Sequence, residues 1–257
     1  MGAEQPFAGR LRVGSTVRLW QQDFGSTESV VSRLREIRFD VSSSWSPNSW
    51  LSFSLNLPLQ AREWQDVNLS KDIGLGPGDL EVAARVVVFG AERMRPPLLL
   101  SVLGGVRLPT APLLRDQDGR VLSTEGQLGT GATTPVVGLG WSGFFSERWS
   151  ALATLTGEWP LGGRLELGPS AAAVVMIQFQ PRTWLGVRSG LDGRAEGAPM
   201  SRQRPRAGVL LSVLGDVVLG LGGGAAVSLG VRVPIFESRE GVLRTWPLLV
   251  ASLVVDV

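Results

Sequence analysis

The chain of 257 residues carries 25 basic and 23 acidic side chains, 33 glycines and nine tryptophans, with no cysteine, histidine or tyrosine. Those absences exclude a disulfide framework, a thiolate nucleophile, a Ser/His/Asp triad and an ordinary zinc or haem site, so no enzyme activity, cofactor or metal is expected. The near-balanced charge, with Lys71 the one lysine, gives no footing for nucleic-acid binding, and no run of ~18 apolar residues offers a spanning helix.

A single domain over residues 1–257 is expected. Met1 to Trp20 lacks the continuous apolar core of a secretory peptide, and Met1-Gly2-Ala3-Glu4 reads as an initiator Met placed ahead of an already processed N-terminus.

Period two recurs from one end of the chain to the other. Arg10 to Trp20 sets Leu11, Val13, Val17 and Leu19 against Arg10, Arg12, Thr16 and Arg18. Glu36 to Trp45 opposes Ile37, Phe39, Val41 and Trp45 to Glu36, Arg38, Asp40, Ser42 and Ser44. In Trp50 to Arg62 one face is wholly apolar, from Leu51 through Leu59 to Ala61. Asp79 to Phe89 alternates Leu80, Val82, Ala84, Val86 and Val88 with Asp79, Glu81 and Arg85. Leu98–Leu108, Thr134–Phe145, Trp149–Trp159 and Leu165–Gln180 continue the pattern, Thr183–Leu191 and Arg206–Leu214 carry it more weakly, and Val217–Val233 and Leu248–Val257 complete twelve strands.

Most of these segments reach the ~9 to 11 residues needed to cross a bilayer obliquely, longer than the ~5 to 6 usual in soluble sheets. Tight turns are expected near Ser46-Pro47-Asn48, Ala91 to Pro96, Ser146-Glu147-Arg148, Gln180-Pro181-Arg182 and Gly215-Asp216. Longer loops are expected over Gln21–Ser32, Glu63–Gly78, Pro109–Thr133, Asp192–Pro205 and Pro234–Thr245. Short turns on one side and long loops on the other are the habit of outer-membrane barrels.

Alternation alone also fits a soluble two-layer sandwich with its apolar face inside. Twelve strands closed that way would surround an apolar void, because about eight already enclose all that side chains fill. Turned outward, the same residues meet lipid, and closure pairs every backbone group. The expected fold is therefore all-β, a transmembrane antiparallel up-and-down barrel of about twelve strands, in a bacterial outer membrane. In place of Tyr at the lipid interfaces, Trp20, Trp45, Trp64, Trp141, Trp149, Trp159, Trp184 and Trp246 lie at or near strand ends.

GLGPGDLEVAARVVV (Gly74–Val88), LGGVRLPTAP (Leu103–Pro112), LGTGATTPVVGLGWS (Leu128–Ser142) and, in outline, GVRVPIF (Gly230–Phe236) resemble the outer-membrane barrel family labelled putative MetA pathway of phenol degradation. These stretches cover about a fifth of the chain. The resemblance implies a single transporter-like barrel taking up small hydrophobic or aromatic compounds, with no catalytic or ligand residue to carry over.

With the polar faces inward, the expected lumen residues are Arg12, Arg18, Glu36, Arg38, Asp40, Arg62, Asp79, Glu81, Arg85, Arg107, Glu158, Glu166, Arg188, Arg206 and Arg232. Such an interior fits a passive channel selecting solutes by size and sign, or a filled structural interior with loops such as Glu63–Gly78 free to bind a protein partner. The bilayer and a small solute are the expected partners. Glu36 and Asp40, four residues apart on one face, lie too far apart along a strand for paired-carboxylate hydrolysis, and Arg38 between them is the expected partner of either. Asp116, Asp118 and Glu125 in the Pro109–Thr133 loop lack a complete calcium ligand set, so a surface turn is expected there. GLGGGAAVSLG (Gly220–Gly230) is read as small lumen-facing residues within a strand rather than as a phosphate loop.

Overall fold

A computed structural model describes residues 9–26, 29–65, 71–91, 97–115, 119, 121–122, 126–162, 168–197, 208–239 and 242–257. Its strands are β1 (Arg10–Ser26), β2 (Ser29–Ser46), β3 (Leu51–Gln65), β4 (Lys71–Pro77), β5 (Leu80–Phe89), β6 (Leu98–Leu108) and β7 (Thr134–Phe144). They continue with β8 (Trp149–Glu158), β9 (Ser170–Arg182), β10 (Leu185–Glu196), β11 (Gly208–Gly222), β12 (Ala225–Arg239), β13 (Val242–Thr245) and β14 (Leu248–Asp256). Every neighbouring pair is antiparallel. β1 pairs with β2 on one side and with β14 on the other, in register from Arg12↔Asp256 to Leu19↔Leu249, and this closes the sheet.

Two staves are interrupted. β4 and β5 both run along β3, and β13 and β14 both run along β1, so the fourteen strands form twelve staves, the expected number. The breaks fall at Gly78-Asp79 and at Trp246-Pro247, in each case beside a proline that cannot donate to the ladder. β4 has no second sheet neighbour among the described residues.

The alternation decides which way the wall faces. Ile37, Phe39 and Val41 are exposed while Glu36 and Asp40, interleaved with them, are each 4% accessible; Leu139 and Ile177 likewise stand 58% and 53% exposed. Because paired residues share a face, the registers carry that division round the closed sheet: apolar side chains cover the outside and the polar set faces in. A sandwich burying Leu and Val is thereby excluded.

One end of the barrel has the tight connections. Asn48 Oδ1 accepts from Trp50 N and Leu51 N (3.2 and 2.8 Å), and Ser146 Oγ from Arg148 N and Trp149 N (3.2 and 3.1 Å), each a side chain substituting for turn hydrogen bonds. The expected turn at Gly215-Asp216 is not one. β11 runs straight through it, with Asp216 inward against Arg188, and the turn comes at Gly222–Gly224, where all three residues have positive φ (82°, 59° and 80°) and glycine is required. GLGGGAAVSLG therefore contains a hairpin turn, not an uninterrupted strand.

At the opposite end the expected loops Gln21–Ser32, Glu63–Gly78 and Pro234–Thr245 are largely ladder, since β1 and β2 pair out to Ser26↔Ser29, β4 pairs with β3, and β12 and β13 extend to Arg239 and from Val242. In these stretches polar runs such as Gln21-Gln22-Asp23 and glycines such as Gly74 and Gly76 break up the alternation, so the period-two signal weakens although the strand continues. Asp192, expected in a loop, lies within β10.

Candidate functional site

The inner face is organised as ion pairs within a stave, between neighbouring staves and across one intervening stave. Arg12 Nε meets Asp256 Oδ1 at 2.6 Å, Arg62 Nε meets Glu36 Oε2 at 2.5 Å and Arg188 Nε meets Asp216 Oδ1 at 2.7 Å. Arg232 pairs with Asp192. Arg107 is shared by two carboxylates, Glu81 at 3.0 Å and Glu158 at 2.8 Å. The reverse arrangement holds for Asp40, shared by Arg38 at 2.8 Å and Arg18 at 3.4 Å. Arg85 is on the same face, across from Ser52 and Leu103. Glu166 and Arg206 lie outside the described residues.

Arg38 thus pairs with Asp40 as expected, but Glu36 takes Arg62 instead, the directly opposed position on the neighbouring stave being a shorter reach than two residues along one strand. The partners Asp192, Asp216 and Asp256 were missed. Each sits on a strand whose neighbouring arginine was expected in the lumen, so its in-phase position was the available signal.

The long connection from β6 to β7 is not a surface turn over its described part. Gln127 and Leu128 are each 2% accessible and Ala132 is 1% accessible, because this segment folds back against the inner face of β3 and β4. Asp79 clasps both ends of it, accepting from Ala111 N (3.2 Å), from Thr130 N (2.5 Å) and from Thr130 Oγ1 (2.7 Å). The Gln127 side chain ties the segment to itself, accepting from Leu114 N (2.9 Å) and donating to Leu114 O and Leu122 O (both 3.0 Å), while Arg62 donates to Gln127 O. Asp116, Asp118 and Glu125 lie outside the described residues.

Gly74 and Gly76, which share a face with Arg62 and Gln60, make room for this segment. A Cβ at Gly76 would stand 3.1 Å from Leu128 Cδ1, and one at Gly74 would collide with Leu114 Cδ1. Alternating glycines thus form a shallow trough for Pro112, Leu114 and Leu128. GLGPGDLE, RLPTAP and LGTGATT therefore meet in one place, and beside them a cavity of about 270 Å³ is lined by Pro109, Ala111, Pro112, Leu113, Gln127, Gly129 and Gly131.

Aromatic residues divide between the two faces. Trp45 stacks on Phe53 (centroids 6.2 Å apart) and Trp149 packs on Phe179 (4.6 Å), both pairs outward near the tight turns. Trp20 and Trp64, expected at the lipid interface, face inward instead: Trp20 is across from Glu36, and Trp64 is across from buried Leu34 and 5.2 Å from Phe24. Their phase along β1 and β3 puts them with the arginines, which outweighs their nearness to strand ends.

Above the apolar belt, on the outside, Asp23 accepts from Arg33 Nε (2.7 Å) and from Trp246 Nε1 (2.8 Å), with the Arg244 guanidinium 4.3 Å over the Trp246 ring. Burial alone would raise the Asp23 carboxyl, but the hydrogen bonds from Trp246 and Arg33 and the Arg33 charge outweigh it and hold the group below its ordinary range.

No protein-family model and no curated protein matches the chain. The resemblance to the phenol-degradation family therefore rests on its motifs alone. Solved structures do match. An outer-membrane channel from Pseudomonas putida F1 superposes with a TM-score of 0.81 at 12% identity, over 100% of this chain and 99% of its own. The NanC porin gives 0.53 at 7% identity, over 95% and 98%. A variant of the monoaromatic hydrocarbon channel TodX gives 0.53 at 10% identity, over 97% and 90%. At such identities the likeness is one of fold: a closed twelve-stave antiparallel barrel of the kind found in outer-membrane channels.

Proposed function

We propose that the chain is an outer-membrane channel through which small solutes diffuse passively, without catalysis, along an inner face lined by the ion-paired side chains described above. The observation carrying this reading is the inverted wall: leucine, valine and isoleucine outside, where only lipid tails solvate them without cost, and partnered charges inside, where water reaches them. The tight turns then face the periplasm and the long connections the exterior. The similar structures, an outer-membrane channel and a hydrocarbon channel among them, support the class of function. A hydrocarbon channel among them makes small aromatic compounds reasonable cargo, and the folded-in β6–β7 segment would set the size limit.

Planar-bilayer recording tests this. Discrete conductance steps with the purified protein, and swelling of proteoliposomes in arabinose, are expected. A correctly folded barrel giving neither would overturn it.

The same inward segment favours a second reading, a barrel that is filled and does not transport. Replacing residues 113–127 with a short Gly-Ser linker separates the two. If the segment only narrows an open path, conductance rises from a measurable starting value; if it seals the barrel, conductance appears for the first time.

A further inference from the structure

The arginines of the inner face are not equally neutralised. Arg107 has two carboxylates to itself, whereas Arg18 and Arg38 share one, Asp40. The carboxylates nearby are committed elsewhere: Glu36 to Arg62 and Asp192 to Arg232. Among the described residues these pairs set four guanidinium groups against three carboxylates. The surplus is also accessible, since the Arg18 side chain is 40% exposed and that of Asp40 only 5%. Arg18 meets Asp40 through Nε at 3.4 Å, a looser contact than the 2.8 Å of Arg38 and one that leaves its guanidinium N–H groups available to a further acceptor.

The registers put apolar groups round this charge. Val250 on β14 is directly across from Arg18, Trp20 is the next inward residue along β1, and Leu248, across from Arg232, is the next inward residue along β14. Arg38 is across from Arg18 on the other side. A forked donor with spare N–H groups beside an indole and two aliphatic side chains matches a molecule with a planar anionic head and an apolar body.

We propose that Arg18 and Arg38, flanked by Trp20, Leu248 and Val250, form a subsite for small carboxylates bearing an apolar or aromatic group. The subsite deepens the channel reading and rests on it for access. The guanidinium groups hold the carboxylate by paired N–H···O bonds, the apolar trio covers the body, and exchange with water keeps binding weak enough for release.

Titration calorimetry on the full chain in detergent, with benzoate, benzyl alcohol, benzylammonium and acetate as probes, tests this without requiring a variant to fold. Benzoate is expected to bind about tenfold more tightly than either benzyl alcohol or acetate, and benzylammonium not at all. Arg18→Gln and Arg38→Gln are each expected to weaken benzoate about fivefold to tenfold, with Arg18→Lys in between. Equal binding of benzoate and benzylammonium by the unaltered protein overturns the subsite, as does unchanged benzoate affinity in a folded Arg18→Gln protein. Arabinose swelling keeps the two readings apart. Swelling without benzoate preference sinks the subsite alone, while benzoate binding without swelling or conductance sinks the channel and leaves the subsite standing.

Discussion

Asp79 receives both the backbone N–H and the hydroxyl of Thr130, at 2.5 and 2.7 Å, across 51 residues of chain. It also holds Ala111 N, so one 4%-accessible carboxylate closes the β6–β7 connection at both ends. Hydrogen bonds to a charged group contribute about 1.5–3 kcal/mol each, and the donors left behind by Asp79→Ala would be unpaired. The expected outcome is a barrel that still forms, recognised by its altered gel mobility before heating, with the connection released inward or outward. Single-channel traces should then be noisier, with a changed mean conductance. Traces identical to those of the unaltered protein would mean that the clasp does not govern the opening.

A lipid-facing belt makes a sharp demand on Leu139, at the middle of β7 and 58% exposed. Leu139→Arg is expected to cost about 2–4 kcal/mol in folding into a bilayer, as charges near the midplane of such barrels do. Thr154→Arg, on the inner face of β8 across from Gly140, is expected to be far milder because its charge stays in the lumen. Urea titrations of refolding into vesicles would measure both, and equal costs would contradict the orientation of the wall.

Why was the barrel legible in the sequence while much of its interior was not? In a lipid-embedded strand each residue faces one of two very different solvents, so Leu51 to Ala61 announces both the strand and its faces. By the same contrast Arg18, Asp40, Arg62 and Arg107 share the face opposite the lipid-facing residues. It fails where the two solvents are alike. Asp23 and Arg33 pair outside the belt, where both faces are wet, and a strand there carries no alternation to mark it. Asp216 follows a glycine and imitates a turn, although its phase with Val213 and Val217 was intact. The folded-in segment was hidden for another reason: Asp79 and Thr130 are local to nothing in the sequence, and only the glycines at 74 and 76 hinted that something packs on them.

Arg107 is the single cation between two carboxylates, with Glu158 held at both oxygens (2.8 and 3.0 Å) and Glu81 at one (3.0 Å). Arg107→Ala leaves two partly buried like charges facing each other, which should destabilise the barrel by about 1–3 kcal/mol. It also adds negative charge to the path, so the reversal potential in a KCl gradient should move toward cation selectivity. The double variant Arg107→Ala/Glu158→Gln should recover part of the stability and reverse most of the selectivity change. A cycle in which the two substitutions simply add would show that Arg107 and Glu158 are not coupled.

Asp23 sets the acid response of the exterior. Its folded-state carboxyl lies below the ordinary value, so folding favours the ionised form; that contribution is complete above the unfolded pKa of about 4 and is lost as pH falls through the depressed folded value. Below that point Arg33 loses its counter-charge and Trp246 Nε1 donates to a weaker, neutral carboxyl, and the tips of β1, β2 and β13 should loosen while the lipid-embedded staves remain intact. Hydrogen exchange in bilayer discs, extrapolated to a common chemical exchange rate, should show protection at residues 21–25 and 33–35 falling as the medium is acidified through the depressed Asp23 value, with residues 136–142 unchanged. Asp23→Asn should already show the loosened state at pH 7 and little further change on acidification. Tips equally protected at both extremes of pH in the unaltered protein would remove Asp23 from this role and leave the Arg244–Trp246 stacking to hold the outer hairpins together.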